Sequence, residues 1–450
     1  MLGVGEMPMR STLFLVVSYT VLGDCMEVLR IGSSGPMVYL LQSVLKTLGF
    51  YQGAVDGLFG SGTYNAVKFF QSRFGLIADG IVGANTWNAL MPYINGYTNY
   101  TVKRGDSIYK IAQKYSTTMN RIIAANPGIN ANLLNIGQKI IVPFGRIVRS
   151  DVPFSSDIVR MNLNALTKVY PFLTLGSMGE SVRGKDLFYM RLGTGTQREV
   201  FYSAAIHANE WITAGVMLKF IENYSLAYVE YRRIGTIDIR NLFQTASIYI
   251  EPLCNPDGVD LVTGAIKLGS ETYLSAQALA NNYPNLPFPN GWKANIRGVD
   301  LNLQFPAGWE QAREIKFGQG YTKPGPRDYV GARPLNQPES LAMYEFTLAH
   351  DFRLILAYHT QGRVIYWQYQ DYVPENSREI GELFARMTGY RLETTPFASG
   401  FAGYKDWFIQ NYNRQGYTFE VGLGVNPLPL SQFNQIYREN EGVLVTAATV

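Results

Sequence analysis

The sequence predicts a multidomain chain: a small helical bundle, then a compact βααβ module, then one large α/β domain with a mixed sheet. Three observations carry that prediction. The chain is 450 residues long, and at roughly 150 residues per domain this suggests about three units. A turn motif recurs with an offset of 23 residues near the start, the mark of a short repeated helical unit. From about Asp151 onward, apolar runs of strand length alternate with helical patterns, the order expected of an α/β domain.

Composition removes several classes of function. Hydrophobic residues make up 47% of the chain, enough for real cores, yet no segment approaches the run of about 20 apolar residues that spans a bilayer. With 39 basic and 35 acidic side chains the net charge is +4, which leaves no electrostatic footprint for nucleic acid. Two cysteines, Cys25 and Cys254, are too few for a disulfide framework or a thiolate zinc site. Histidine chemistry is confined to three positions, His207, His350 and His359.

In chain order, Ser11 to Gly23 form a short apolar run behind Arg10, with Val21 and Gly23 as small residues ahead of a cleavage point, as in a secretory signal. Glu6 spoils the basic flank and Met26 opens a folded pattern, so residues 1–25 read equally as an upstream extension. Asp24 intervenes before Cys25, which removes the pattern of a lipoprotein cysteine.

Residues 26–95 hold the repeat: Asp56-Gly-Leu-Phe-Gly60 followed by Thr63, then Asp79-Gly-Ile-Val-Gly83 followed by Thr86. Each copy is turn chemistry leading to a threonine that can cap a helix. Val38, Leu41, Leu45 and Leu48 make one amphipathic face, and Ala66, Val67, Phe70 and Phe74 another. With Leu29-Arg-Ile-Gly, Leu40-Leu-Gln42, Leu48-Gly49, Phe69-Phe-Gln71 and Thr86-Trp87, the module resembles the peptidoglycan-binding-like domain of bacterial wall hydrolases.

Residues 98–145 begin with a strand at Tyr100 to Lys103 and a turn at Arg104-Gly105-Asp106. Asp106 or Ser107 can cap a helix carrying Ile108, Ile111 and Ala112; a second helix carries Ile122 and Ile123 and ends at Asn126-Pro127. Gln138 to Pro143 returns as a strand, which completes the βααβ unit. Tyr100-Thr-Val, Gly105-Asp-Ser, Ala125-Asn-Pro127 and Gly137-Gln-Lys-Ile140-Ile-Val-Pro143 make it similar to a LysM domain, a family that binds glycans containing N-acetylglucosamine.

Residues 151–450 supply the large domain. Val200 to Ile206, Ser247 to Ile250, Phe352 to Tyr358 and Tyr417 to Val421 read as buried strands, Trp211 to Tyr224 and Ser340 to His350 as helices. Ligands in such sheets sit beyond the carboxyl ends of strands, and His207 and His359 stand where two of these strands run out. His207 and Glu210, three residues apart, with a distant second histidine, form a two-His, one-Glu set of the kind that holds zinc in carboxypeptidase A, with a fourth coordination position left for water. His350 ends a helix, where a histidine suits the dipole, and reads as structural.

Ile206-His-Ala-Asn-Glu210-Trp, Asn255-Pro-Asp-Gly258, Gly298-Val-Asp-Leu-Asn302, His359-Thr and Thr418-Phe-Glu420-Val-Gly422 resemble, in order and spacing, the zinc carboxypeptidase family. The resemblance implies zinc as cofactor, held by His207, Glu210 and His359, and Glu420 as the general base that deprotonates the attacking water and passes a proton to the leaving amine. It further implies Asp300 as the carboxylate that orients the first histidine, and Lys293 as the cation that polarises the scissile carbonyl, with Arg297 a second candidate for that charge.

Where the family's exopeptidases carry Asn-Arg, Asn302 is followed by Leu303, so the guanidinium that clamps a free C-terminal carboxylate is missing. The tyrosine that closes over that end has no counterpart, since the matching position is Ala398. Lys405 falls at the position that sets side-chain specificity, where a cation favours an acidic group. Arg327 and Arg333 are further carboxylate readers in the loop from Gly318 to Pro334. Asn302, Arg297 and Lys405 are therefore the expected substrate-binding residues.

Together these features resemble the γ-D-glutamyl-diaminopimelate endopeptidases of sporulating Gram-positive bacteria. That implies a zinc metallopeptidase that cuts the γ-D-glutamyl–diaminopimelate bond of peptidoglycan stem peptides, with two wall-binding modules raising the local concentration of stems. Glycan and stem peptide are the expected partners, with no nucleic acid, no membrane span and a monomeric state. The cell wall outside the cell, or the sporangium, is the expected location. The alternatives are a carboxypeptidase releasing one C-terminal residue, and a wall-binding protein with an inert peptidase domain. A dinucleotide site at Gly193-Thr-Gly195 fails because the run precedes a strand and opens no helix.

Overall fold

Two glutamines organise the first module. The computed structural model describes residues 26–450, so the signal or extension at residues 1–25 lies outside the described residues. Three helices, Pro36–Thr47, Ser61–Arg73 and Ala84–Asn95, bury Val38, Leu41, Leu45, Ala66, Val67 and Phe70 against Trp87. Gln42 Nε2 reaches Asp56 Oδ1 at 2.8 Å, the Leu58 carbonyl at 3.0 Å and Thr63 Oγ1 at 3.0 Å. Gln71 repeats the pattern on Asp79 Oδ1 at 2.9 Å, the Ile81 carbonyl at 2.9 Å and Thr86 Oγ1 at 3.0 Å. The repeat is thus two copies of one buried polar knot. Thr63 and Thr86 are not caps: both helices start on glycine, Gly60 and Gly83, and the threonines sit in the first turn facing the glutamines. Gly57 and Gly80 must be glycine, since each has a positive φ and a Cβ there would strike the ring of Tyr39 or Tyr64.

The second module pairs β1 (Tyr97–Thr101) with β2 (Lys139–Pro143) antiparallel, over helices Ile108–Lys114 and Met119–Ala125. Of the two expected caps, Ser107 takes the role by accepting from Lys110 N–H. Asp106 instead holds the turn, accepting from Lys103 N–H and Tyr100 O–H. The first strand begins three residues earlier than expected, at Tyr97, because β2 pairs along its whole length through Pro143.

The linker to the large domain is packed rather than loose. Arg149 donates to Ser43 Oγ, Thr47 Oγ1 and the Tyr93 carbonyl of the first module. Asp151 accepts from Ser43 Oγ at 2.8 Å. Ile147 N–H donates to Glu222 Oε1, whose other oxygen pairs with Lys219.

The large domain is built on β3 (Thr174–Glu180), β4 (Asp186–Leu192), β5 (Arg198–Ala204), β8 (Ala246–Glu251), β9 (Phe352–His359), β10 (Val364–Tyr366), β11 (Arg391–Glu393) and β12 (Gln415–Glu420), with β6 (Arg233–Ile234) and β7 (Ile237–Asp238) a separate small hairpin. The sheet has eight strands in the order β11-β10-β12-β9-β5-β8-β4-β3. Its centre, β12-β9-β5-β8, is parallel and matches the four expected strands; β4, β3 and β10 join antiparallel, so the sheet is mixed. The helix Ile212–Val229 is buried almost all round, as expected of a crossover packed between sheet and outer helices. Among the described residues no helix is long and apolar enough to cross a membrane.

Candidate metal centre

Three neighbouring parallel strands end at one place. β5 runs out at Ala204, and a short 3-10 turn, Ala208–Glu210, follows with His207 as its cap. In that geometry side chains three apart stack on one side, which is why His207 and Glu210 point together. β9 ends on His359 and β12 on Glu420, and these two residues are paired in register. Parallel pairing thus sets His359 beside Glu420, and the turn that follows β5 brings His207 and Glu210 up to them.

His207 Nδ1 lies 3.0 Å from Glu210 Oε1, and His359 Nδ1 lies 3.1 Å from Glu210 Oε2. The two Nδ1 atoms are 3.1 Å apart. Asp300 Oδ1 stands 3.2 Å from His207 Nε2, and as a carboxylate it accepts that N–H and leaves Nδ1 with its lone pair. Two imidazole nitrogens and a carboxylate aimed at one point repel each other unless a positive charge sits between them. Donor atoms of His207, Glu210 and His359 all lie within 4.8 Å of one another, and all three residues are buried. The chemistry of this set, two nitrogens and one carboxylate, fits zinc.

The same negative surroundings draw positive charge to the centre, in the form of a proton where no ion is bound. Burial alone would lower the His207 pKa, yet the Glu210 and Asp300 carboxylates outweigh it and hold it up at about 9. Burial would likewise raise Glu210 and Asp300, but His207 and Lys293 pull both below the usual carboxylate range. Lys293 Nζ sits 3.4 Å from Glu210 Oε1, and although burial works against its charge, Glu210 and Asp300 hold its pKa above the ordinary lysine value. Burial pushes Glu420 up, only partly offset by His359.

These residues open on a cleft of about 240 Å³ lined by His207, His359, Glu420, Lys293, Asn302 and Lys405. Asn302 Oδ1 accepts from Tyr404 N–H, which leaves its amide N–H groups for a ligand. Leu303 is buried among Trp309, Ala312, Val330 and Ala402 on the cleft wall, so an apolar contact stands where a clamping guanidinium was missing from the sequence. Two expectations change. Arg297 is exposed and lies outside the cleft lining, its backbone held by Asn295, so the charge beside the centre is that of Lys293. Lys405 lines the cleft but is not a free cation, because Asp406 Oδ1 lies 2.6 Å from its ammonium. Arg327 also lines the cleft, paired with Asp328, whereas Arg333 is exposed and outside it. His350 is far from this chemistry: its Nδ1 meets the Phe346 carbonyl at a helix end and its ring stacks on Phe352.

Sequence reasoning missed Lys316, Asp328 and Asp406, which also line the cleft. The charged pairs Arg327-Asp328 and Lys405-Asp406 in the sequence hinted at the two aspartates, and nothing there pointed to Lys316.

A family model described as zinc carboxypeptidase matches residues 159–442. Models for a putative peptidoglycan binding domain and a LysM domain match residues 34–90 and 100–143. The gamma-D-glutamyl-L-diamino acid endopeptidase 1 of Lysinibacillus sphaericus is 40% identical over 397 residues, covering 76% of this chain and 98% of that protein. The spore cortex-lytic enzyme of Bacillus subtilis is 39% identical over 98 residues, 20% of this chain and 32% of that enzyme. Among solved structures, thrombin-activatable fibrinolysis inhibitor shares the fold, with a TM-score of 0.50 at 16% identity over 79% of this chain and 98% of the other.

Proposed function

Because the chain belongs to the zinc carboxypeptidase family, we propose that it is a peptidoglycan endopeptidase that hydrolyses the γ-D-glutamyl–diaminopimelate amide of stem peptides. One observation carries the reading: a buried His207-Glu210-His359 group and Glu420 share a cleft whose wall bears Leu303 where an exopeptidase needs a guanidinium. His207, Glu210 and His359 would hold a zinc ion, which would supply a Lewis acid there.

The chain's own groups do the rest. Asp300 fixes the tautomer and tilt of His207. Glu420 takes a proton from the attacking water on its carboxylate, and burial, by raising its pKa, lets it keep that proton until the leaving amine needs it. Lys293 offers its ammonium to the oxygen on which negative charge develops. Asn302 binds and orients the stem through its free amide N–H groups.

Residues 26–95 and 98–145 serve as wall-binding units for a catalytic unit of residues 151–450, and the chain acts as a monomer at the cell wall or within the sporangium. Digestion of a defined L-alanyl-γ-D-glutamyl-diaminopimelate stem, with and without chelator, tests the function by mass spectrometry. Only the γ-D-glutamyl–diaminopimelate bond should break, and only when metal is present. Cleavage at another bond, or release of a C-terminal residue from an ordinary peptide, refutes it.

A further inference from the structure

The strand ends that supply His359 and Glu420 are tied together past the point where the sheet stops. Val421 N–H donates to the His359 carbonyl, and Gly362 N–H donates to the Gly422 carbonyl. Between those two bonds stands Thr360, only 4% exposed. Its hydroxyl and its carbonyl both meet one side chain. Thr360 Oγ1 donates to Asn426 Oδ1 at 2.7 Å, and Asn426 Nδ2 donates to the Thr360 carbonyl at 2.9 Å. A carbonyl can only accept, so the amide must turn its nitrogen toward that oxygen, and the hydroxyl is left as the donor to Oδ1.

The remaining backbone group of Thr360 gives the pair its meaning. Its N–H donates to Glu210 Oε2 at 3.3 Å, while Lys293 Nζ stands 3.4 Å from the other oxygen of that carboxylate. Glu210 is thus gripped at both oxygens. An ammonium on a flexible stem follows the carboxylate wherever it turns, whereas a backbone N–H keeps its direction only as well as its own peptide is held. Asn426 supplies that hold. Its own loop is fixed in turn: Gly422 has a positive φ, and a Cβ there would strike Leu428. Gln432 accepts from Leu423 N–H at 3.0 Å and donates to the Leu423 carbonyl at 2.7 Å. Leu423 and Val425 are exposed, so these bonds, more than burial of side chains, set the course of the loop.

We propose that Asn426 is a positioning residue for the metal centre: it fixes the Thr360 peptide so that the N–H turns the Glu210 carboxylate toward the point shared with His207 and His359. Asn426 lies outside the cleft lining and acts only through Thr360. Because it follows Glu420 on one segment, the brace also ties the carboxylate that carries the proton to the one that holds the metal. Direct partners of metal ligands are worth 10- to 100-fold in affinity, and a partner one peptide further out should count for about tenfold. The inference rests on the zinc reading of the site and adds a residue to its support.

The test titrates the metal-free full chain with zinc against a chromophoric chelator, and with cobalt(II), whose visible absorption reports ligand geometry. Asn426→Ala should weaken zinc binding about 10-fold and shift the cobalt bands. Thr360→Val, which loses the hydroxyl but keeps the carbonyl bond, should weaken it by less. Thr360→Ser, which keeps both bonds, should bind as the unaltered chain does. A purely structural role for Asn426 would lower the unfolding midpoints of the metal-free and zinc-loaded chains alike and leave affinity and spectrum where they are. Zinc affinity of Asn426→Ala within about twofold of the unaltered chain, with unshifted cobalt bands, overturns the brace and leaves the zinc reading intact. If that variant does not fold, the threonine pair decides, and equal affinity of Thr360→Val and Thr360→Ser overturns the brace. An unaltered chain that takes up no zinc overturns the zinc reading, and the brace with it.

Discussion

Glu251 ends β8 inside the large domain, fully buried, and neither of its carboxyl oxygens has a hydrogen-bond partner. Burial pushes its pKa up to about 8, with the Cys254 thiol pulling only weakly the other way. The native chain therefore keeps this carboxyl protonated while the unfolded chain ionises it near 4.5. A raised folded pKa means that the stability is fully present below the unfolded value and is lost as pH rises toward the folded one. The gap between 4.5 and about 8, at about 1.4 kcal/mol per pH unit, is worth about 5 kcal/mol. Glu251→Gln keeps the shape and removes the ionisation. Urea unfolding at saturating zinc, followed by tryptophan fluorescence from pH 5 to 8, should show the wild-type unfolding free energy falling relative to that of the variant by about 3.5 kcal/mol, the part of the gap that this range covers. Two curves that run parallel over that range would refute the protonated native state.

Other outcomes follow from the centre and the first module. Asp300→Asn loses the charge that orients His207, and zinc affinity by competition dialysis should fall by roughly 10- to 100-fold. Glu420→Gln should lower kcat by about 10²- to 10⁴-fold while a metal assay still finds one zinc per chain. Gln42→Ala strips the partners from the Asp56 and Gly57 N–H groups and from Thr63, and should cost the first module about 1–3 kcal/mol in thermal unfolding, with zinc binding unchanged.

The parts legible in the sequence were those that obey local periodicity. Central strands show as unbroken apolar runs because both of their faces are covered, and His207, His359 and Glu420 stood out as polar residues where such runs stop. Edge strands β3 and β11, and β10 next to β11, left no such mark: β3 is half-exposed along its length, and β10 and β11 have three residues each. The partners of the repeat were hidden for a different reason. Gln42 and Gln71 precede their aspartates by unequal distances, so no spacing rule joins them; only the fold brings each glutamine onto its turn. Lys405 was read as a lone cation because a sequence gives neighbours, not distances, and adjacency to Asp406 along a helix does not by itself say that the two side chains meet.

Arg149 bears on how such an enzyme travels. Its guanidinium joins the linker to the first module at three oxygen atoms, and Asp151 adds a fourth bond from the same stretch. An anchor on a slack tether lets a blade sweep an arc, reaching every stem within a radius. An anchor fastened this way offers one stem at a fixed offset, and compliance has to come from the wall. Once that stem is cut the molecule has nothing else in range, so letting go of the glycan becomes a step of each cycle, and tighter anchoring would slow turnover rather than speed it.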